Sequence, residues 1–285
     1  MPASEKTVLV LGCGYTGQRV ARELLAAGVS LTVSSRDPGR PEMVQLAAAG
    51  ANVVRLDVSD TATLKYLDSA VRRGSVVLHS LPLAGPPGAW WDPTPWVLER
   101  LGDRPSHVVY LSTTGVYGNI REVDETTLPA PVTERQKLRL NAEQAVAGGP
   151  WRSLILRPAA IYGPGRGVHV RLREGTFKLL GDGSNFISRI HVDDLASIVV
   201  AALFSGVTGA YPVADEEACP SREIVAFCAE LLGLPMPPSA GPEELDETRR
   251  SDRRVDGSRI RRLLGVELVY PSYRAGIPAA LDNAR

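Results

Sequence analysis

The sequence predicts a doubly wound α/β protein on a parallel sheet, and three observations carry that prediction. Short runs rich in Val and Leu alternate with helix-patterned segments through the first half of the chain. The first run, "TVLVLG" (7–12), is a continuous β-branched and leucine stretch, as fits a strand covered on both faces. The first run ends in "GCGYTG" (12–17), a glycine turn leading from a strand into a helix.

Each element follows in order. "TVLVLG" (7–12) reads as the first strand, and "TGQRVARELLAAG" (16–28) as a helix stopped by Gly28, with Val20, Leu24 and Leu25 on one side. Strands follow at 30–36, 52–58 and 75–82, with helices at 41–50 and 61–74 between them. A fifth strand begins at 107, and "RSLILRPAAIYGPG" (152–165) is a sixth that leaves into a loop. Short strand–helix–strand connections cross right-handed, which winds such a sheet in both directions. Beyond about residue 165 the pattern loosens into helices at 192–206 and 221–233, with Ser221 as the expected cap of the second. A strand is expected at 209–215, and a surface excursion at 234–254, proline-rich and then charged. The expected division is a nucleotide-binding domain over 1–165, on which the helix at 192–206 also packs, and a small substrate lobe over 166–285.

Composition narrows the function. The 285 residues carry 32 Lys and Arg against 32 Asp and Glu, a net charge of zero, which argues against a broad nucleic-acid or membrane surface. Cys13, Cys219 and Cys228 have no metal or disulfide spacing, so they read as small buried residues in a reducing, cytoplasmic setting. The apolar run of "MPASEKTVLVLG" is too short for a signal peptide or a membrane span.

The glycine turn points to a dinucleotide. Gly12 permits the tight turn, Gly14 lets backbone approach a pyrophosphate, and Gly17 lets the helix pack close to the sheet. Tyr15 and Thr16 belong to the same turn, and the helix start offers N–H groups to the phosphates. An NAD site places an acid at the end of the second strand, but here that end reads Ser34, Ser35, Arg36. Arg36 and Ser35 suit a 2′-phosphate, with Asp37 one residue late, so NADP(H) is expected over NAD(H). Asp57 and Val58, ending the third strand, are expected to flank the adenine.

Further motifs carry a resemblance. "HSLP" (79–82), "YLSTTGVYG" (110–118), "LRPAAIYGPGR" (156–166) and "RIHVDDLA" (189–196) resemble the extended short-chain dehydrogenase/reductases, in particular the NAD-dependent epimerase/dehydratase branch. "VELVYPSYRAGI" (266–277) is similar to atypical members with short C-terminal lobes. The resemblance implies a nicotinamide cofactor, lined also by Ser80 and Leu81, and a homodimer through helices near 94–102 and 133–148. It assigns Thr113 to the substrate oxygen, a role its hydroxyl suits chemically. Thr114 and Gly115 stand where dehydratases carry two acids. Asp193 and Asp194 read as helix-start carboxylates that cap N–H groups and complement the dipole, rather than as metal ligands with His191; the resemblance implies the same, and no metal is expected.

One element departs from that pattern. The family carries Tyr-x-x-x-Lys, with a glutamate eight residues after the tyrosine; counting back from Glu143 puts Arg135 and Arg139 at the pair. Arginine stays protonated, so Arg135 cannot act as an ordinary acid or base, though its cation can hold an anionic substrate or an oxyanion. Arg139 can still bond the nicotinamide ribose. A shifted register, Thr133 with Lys137, spoils the spacing to Glu143, and a solvated helix face is the plain alternative. Tyr117 and Tyr162 are the phenols near the expected active edge. Two readings remain open: an oxidoreductase or epimerase for a small molecule with Thr113, Tyr117 and Arg135 at the chemistry, or a non-catalytic NADP(H)-binding sensor.

Overall fold

The computed structural model describes residues 7–245, 247 and 249–282. The runs become strands β1 (Thr7–Leu11), β2 (Ser30–Ser35), β4 (Val76–His79) and β5 (His107–Leu111), which are largely buried, and β3 (Asn52–Arg55), an edge strand with exposed ends. Helices α1 (Gly17–Ala26), α2 (Pro41–Ala48), α3 (Tyr66–Ala70), α4 (Thr94–Leu101) and α5 (Glu134–Ala147) alternate with them or follow them. Strands Arg152–Pro158 and Gly209–Val213 complete a seven-stranded sheet in the order 209–213, 152–158, β5, β4, β1, β2, β3. The pairings β1–β2, β2–β3, β1–β4, β4–β5 and β5 with 152–158 are parallel. Strand order therefore reverses between β1 and β4, the switch point where open α/β sheets bind ligands.

Several elements are shorter than their sequence signals. The third strand ends at Arg55 rather than 58: Leu56 N–H still donates to Ser35 O, but Asp57 N–H turns to Thr63 Oγ1. The segment 61–74 is a 3₁₀ turn, Thr61–Lys65, running into the five-residue α3. Asp60 caps Ala62 N–H there, and Thr63 Oγ1 bonds the carbonyls of Asp57 and Asp60, local bonds that compete with a regular helix. The fourth strand ends at His79, because Leu81 N–H turns back to the His79 ring.

Contacts gather the chain into two units that interleave along the sequence. The first comprises residues 1–112, 132–156 and 196–210. Its core beneath one sheet face joins Leu9, Leu11, Val77, Val108 and Tyr110 to Val97 and Leu101 of α4 and to Ala142 and Val146 of α5.

The second unit comprises 113–131, 157–195 and 211–285. Tyr162, Leu172, Ile224, Val225, Cys228, Tyr273 and Ile277 form its core. Two sequence expectations are corrected here. The helix Ser221–Leu232 is preceded by Pro220 as its cap residue, and the buried Ser221 Oγ has no hydrogen-bond partner among the described residues. Asp194, expected to cap its own helix, instead accepts from Val269 N–H (2.8 Å) and Tyr270 N–H (3.0 Å), fastening the C-terminal segment. The 234–254 excursion contributes short strands, Ser239–Ala240 and Arg254–Val255, that pair with Leu179–Leu180 and Glu122–Val123.

Asp215 gives this unit a pH signature. The residue is buried (4% exposed), and its Oδ2 has no hydrogen-bond partner among the described residues. Burial pushes its carboxyl up to about 8, countered in part by Arg189. Above about pH 4 the unfolded chain has released this proton while the folded one keeps it until about 8, so stability falls as pH rises through that window. The expected outcome is that Asp215→Asn flattens the decline, read as Tm at successive pH values.

Candidate active site

The glycine turn is built by backbone contact. Gly12 has φ +86°, and a Cβ there would sit 2.7 Å from Ser80 O and 3.0 Å from Leu81 N. Gly12 N–H donates to Ser34 Oγ (3.0 Å), and Cys13 N–H to Ser34 O (3.0 Å), so β1, β2 and β4 converge on one turn. A Cβ on Gly17 would meet Gly12 O at 2.7 Å, which holds α1 tight against the turn. Gly14 differs: it is exposed, with nothing within 4 Å of a Cβ. Thr16, the cap residue of α1, makes no side-chain cap bond. An open glycine beside an uncapped helix start fits a pyrophosphate. Tyr15 lies under Arg19, whose guanidinium carbon is 4.3 Å from the ring centroid. Cys13 is buried, and its thiol is pushed up to about 12 by that burial, which makes it packing rather than chemistry.

The end of β2 bears on the ribose. Ser35 is buried, and its Oγ donates to Asp37 O (3.0 Å). Asp37 Oδ1 is occupied by Gly39 N–H (2.9 Å), whereas Arg36 is exposed and makes no hydrogen bond or ion pair among the described residues. Asp57 and Val58 lie past the end of β3, where Asp57 Oδ1 accepts from Ser59 N–H (3.0 Å) and Val58 packs on the core. Ser80 N–H bonds Leu11 O (2.8 Å).

The helix that should carry Tyr and Lys is well determined locally. Thr133 and Gln136 form a reciprocal capping box, and Lys137 pairs with Glu134 (2.7 Å). The shifted register is thereby spent on helix structure. Arg135, Arg139 and Glu143 descend along one face, the first exposed, the second half-buried and the third buried. Glu143 Oε1 accepts from Ser112 Oγ, fixing the helix to the end of β5. Arg139 Nη1 donates to Tyr110 Oη (2.7 Å) and Leu81 O (3.3 Å) and lies 3.7 Å from Asp92 Oδ2. Asp92 Oδ1 accepts from Thr94 N–H (2.8 Å) at the start of α4, while the buried Oδ2 has no hydrogen-bond donor. His79 Nε2 meets Thr94 Oγ1 (3.0 Å), and the ring packs edge-on against Tyr110 (5.0 Å). Burial, and then the Arg139 charge, push the His79 imidazole down to about 3, so it is neutral. Burial lifts the Tyr110 phenol to about 12, with Arg139 opposing, so it too stays neutral. Arg139 is thus a structural cation as well as a candidate ligand for the cofactor. Sequence reasoning missed its partners; the signals were a tyrosine inside the apolar "HVVYL" and an aspartate two residues before a helix start.

In the second unit Thr113 is half-buried, and its Oγ1 accepts from Gly115 N–H (3.1 Å), leaving the hydroxyl proton to donate elsewhere. Tyr117 is fully buried, and its hydroxyl accepts from Arg157 Nη1 (3.0 Å). Tyr162 is also buried, and its hydroxyl has no hydrogen-bond partner among the described residues. Among the described residues no group of three or more His, Cys, Asp or Glu side chains is placed to hold a metal ion.

A sheet reversing beside a glycine turn defines a dinucleotide-binding Rossmann fold. Residues 8–214 match the model of the NAD dependent epimerase/dehydratase family, and the chain belongs to that family. A nicotinamide cofactor is the family's common feature. The chain is similar to a 3-diazoavenalumate denitrifying reductase of Streptomyces sp., 31% identical over 47% of this chain and 49% of that one. The chain thus spans about half the length of that relative. It is 25% identical to the 2-alkyl-3-oxoalkanoate reductase of Stenotrophomonas maltophilia (strain K279a), over 81% of this chain and 76% of that one. Among solved structures, a functionally unknown conserved protein from Silicibacter pomeroyi DSS is 32% identical, with a TM-score of 0.78 over 98% of this chain and 99% of that one. The Thermus thermophilus UDP-glucose 4-epimerase in complex with NAD, 22% identical, shares the fold at a TM-score of 0.79 over 98% of each chain.

The two arginines of α5 separate by their partners. Arg139→Ala is expected to destabilise the protein by about 2 kcal/mol, the scale of hydrogen bonds from a charged donor. Arg135→Ala, on the exposed end of the same face, is expected to shift stability by less than about 0.5 kcal/mol. Urea unfolding of both variants checks the pair.

Proposed function

We propose that the chain is an NADP(H)-dependent oxidoreductase or epimerase-like enzyme for a small anionic molecule, with Arg135 and Arg139 replacing the usual Tyr and Lys. The observation that carries the reading is the open glycine turn at the switch point of the sheet, together with an Arg36 that has no partner among the described residues, where an NAD site has its acid. Gly12, Gly14, Tyr15, Thr16 and Gly17 hold the pyrophosphate, Ser35 and Arg36 the 2′-phosphate, and Asp57 and Val58 the adenine side. Ser80, Leu81 and Arg139 hold the nicotinamide end. When bound, the cofactor supplies hydride transfer.

The chain's own residues do the rest. Thr113 donates to the substrate oxygen. Arg135 is a fixed cation that binds an anionic group or steadies a developing oxyanion without giving up its proton. Tyr117, held by Arg157, shapes the turn beneath Thr113. The same reading makes the protein a cytoplasmic homodimer through α4 and α5. Trp96 of α4 is 44% exposed, and no described helix is long and apolar enough to cross a membrane. Light scattering at micromolar concentration tests the dimer, and a monomer mass removes it.

A second reading is supported by counting back from Glu143 along the family pattern, which sets Arg135 at the place of the catalytic phenol. In that reading the protein binds NADP(H) without turnover and acts as a redox sensor. Mixing with NADPH and a panel of carbonyl compounds separates the two by absorbance. Binding without oxidation across the panel supports the sensor.

Calorimetry checks the cofactor. NADPH is expected to bind about 10- to 100-fold more tightly than NADH, the worth of a charge-assisted phosphate pair, and Arg36→Ala to remove the difference. Arg135→Tyr combined with Arg139→Lys restores the family pair. It is expected to raise carbonyl reduction if the missing phenol alone limits turnover, and an unchanged rate places the limit elsewhere.

A further inference from the structure

The segment after β4 is an aromatic hairpin. Ala84 and Trp91 exchange backbone hydrogen bonds at 2.9 Å in both directions, closing a loop that contains Pro86, Pro87 and Gly88. Trp91 packs on Trp96 at 5.0 Å between centroids, and Asp92 ties the exit of the loop to the start of α4 and to Arg139. Trp90 therefore projects from a scaffold braced on both sides, and it is half-buried. The Arg135 guanidinium lies 5.6 Å from the centre of its ring. Glu134, the neighbouring acid, is taken by Lys137, and Arg135 forms no ion pair among the described residues. A cation held on an indole face, with its in-plane donors unused, is complementary to a flat anion.

We propose that Trp90 and Arg135 form the recognition site for an aromatic carboxylate, the guanidinium taking the carboxylate and the indole the ring. The proposal rests on the reading of Arg135 as a substrate-facing residue and gives that substrate a class. An aliphatic acid satisfies Arg135 but offers no ring to pack against the indole beside the guanidinium, so the pair selects for a ring beside the charge. Because the hairpin is already closed and packed, little ordering opposes binding.

Calorimetry on the full chain, with and without saturating NADP⁺, tests this with two probes: 4-hydroxycinnamate and 3-cyclohexylpropionate. The aromatic acid is expected to bind at least about fivefold more tightly than the cyclohexyl acid, the scale of an aromatic pair. Arg135→Gln is expected to weaken both acids by about tenfold or more, the loss of a charged hydrogen-bonding partner. Trp90→Leu is expected to erase the aromatic preference, and Trp90→Phe to keep it. All three variants are expected to hold the parent's NADP⁺ affinity and Tm. Equal binding of the two acids, or an Arg135→Gln variant that binds like the parent, overturns the proposal. With 4-hydroxyphenylpyruvate, an aromatic keto acid whose ketone can take the hydride that neither probe can, binding with this pattern but no oxidation of NADPH removes the reductase reading and leaves the site standing. Oxidation indifferent to both side chains does the reverse.

Discussion

The close approach of Gly12 to the backbone after β4 sets the geometry of the first unit. A Cβ at that position would lie 2.7 Å from Ser80 O, and φ is +86°, so both space and conformation select glycine. This contact brings the end of β1 against the end of β4, where strand order reverses. It fixes where Leu81 sits, and Leu81 O is one acceptor for Arg139. Through Arg139 the same chain of contacts reaches Tyr110 of β5, Asp92 and the start of α4. The nucleotide turn and the substituted helix are therefore parts of one polar network at the carboxyl end of the sheet.

That network explains why an arginine at position 139 is more than a stand-in for lysine. A lysine has one point charge and no fork; arginine can reach a carbonyl and a phenol from one nitrogen and still present others. Arg139 is only 14% exposed in its side chain, and its charge is compensated by Asp92 rather than by solvent. The neighbouring His79 and Tyr110 are both held neutral, which removes competing charges from around the cation. Arg135, four residues earlier, lies outside the network on the exposed end of the face. The helix thus divides its two arginines into a braced structural cation and an outward one, and position on the helix relative to the sheet edge makes the division.

The sequence shows some of this better than the rest. The apolar runs of β1, β4 and β5 were legible because a strand covered on both faces tolerates little polar chemistry. The glycine turn was legible because three glycines had to meet three different steric demands. Strand and helix ends were less so: Thr63 diverts the chain after β3 by side-chain bonds that propensity does not register. Asp194 looked like a helix cap because it stands at a helix start, yet its carboxylate serves Val269 and Tyr270, 75 and 76 residues away. The partners of Arg139 come from three separate segments. The aromatic hairpin was invisible as structure because Gly85, Pro86, Pro87 and Gly88 signal only a turn, not what the turn presents.

In the second unit the decisive groups are two buried arginines. Arg253 donates to the carbonyls of Thr114 (2.8 Å), Gly118 and Ile120 (3.1 Å), so one guanidinium satisfies three acceptors of the turn that follows Thr113. Arg157 holds the Tyr117 hydroxyl beneath the same turn (3.0 Å), its guanidinium carbon 5.1 Å from the ring centre. A turn of this kind has few backbone bonds of its own, and buried carbonyls without donors are costly. The arginines supply the donors in a fixed fork, which sets the turn and therefore the direction of Thr113. With one lone pair engaged by Gly115 N–H, the Thr113 hydroxyl still has its proton to donate. A hydroxyl aimed in this way suits an acceptor oxygen on a substrate, and it does so without a neighbouring phenol. These contacts are all made within the second unit, so the turn and the donor hydroxyl of Thr113 are set without help from the arginines of α5.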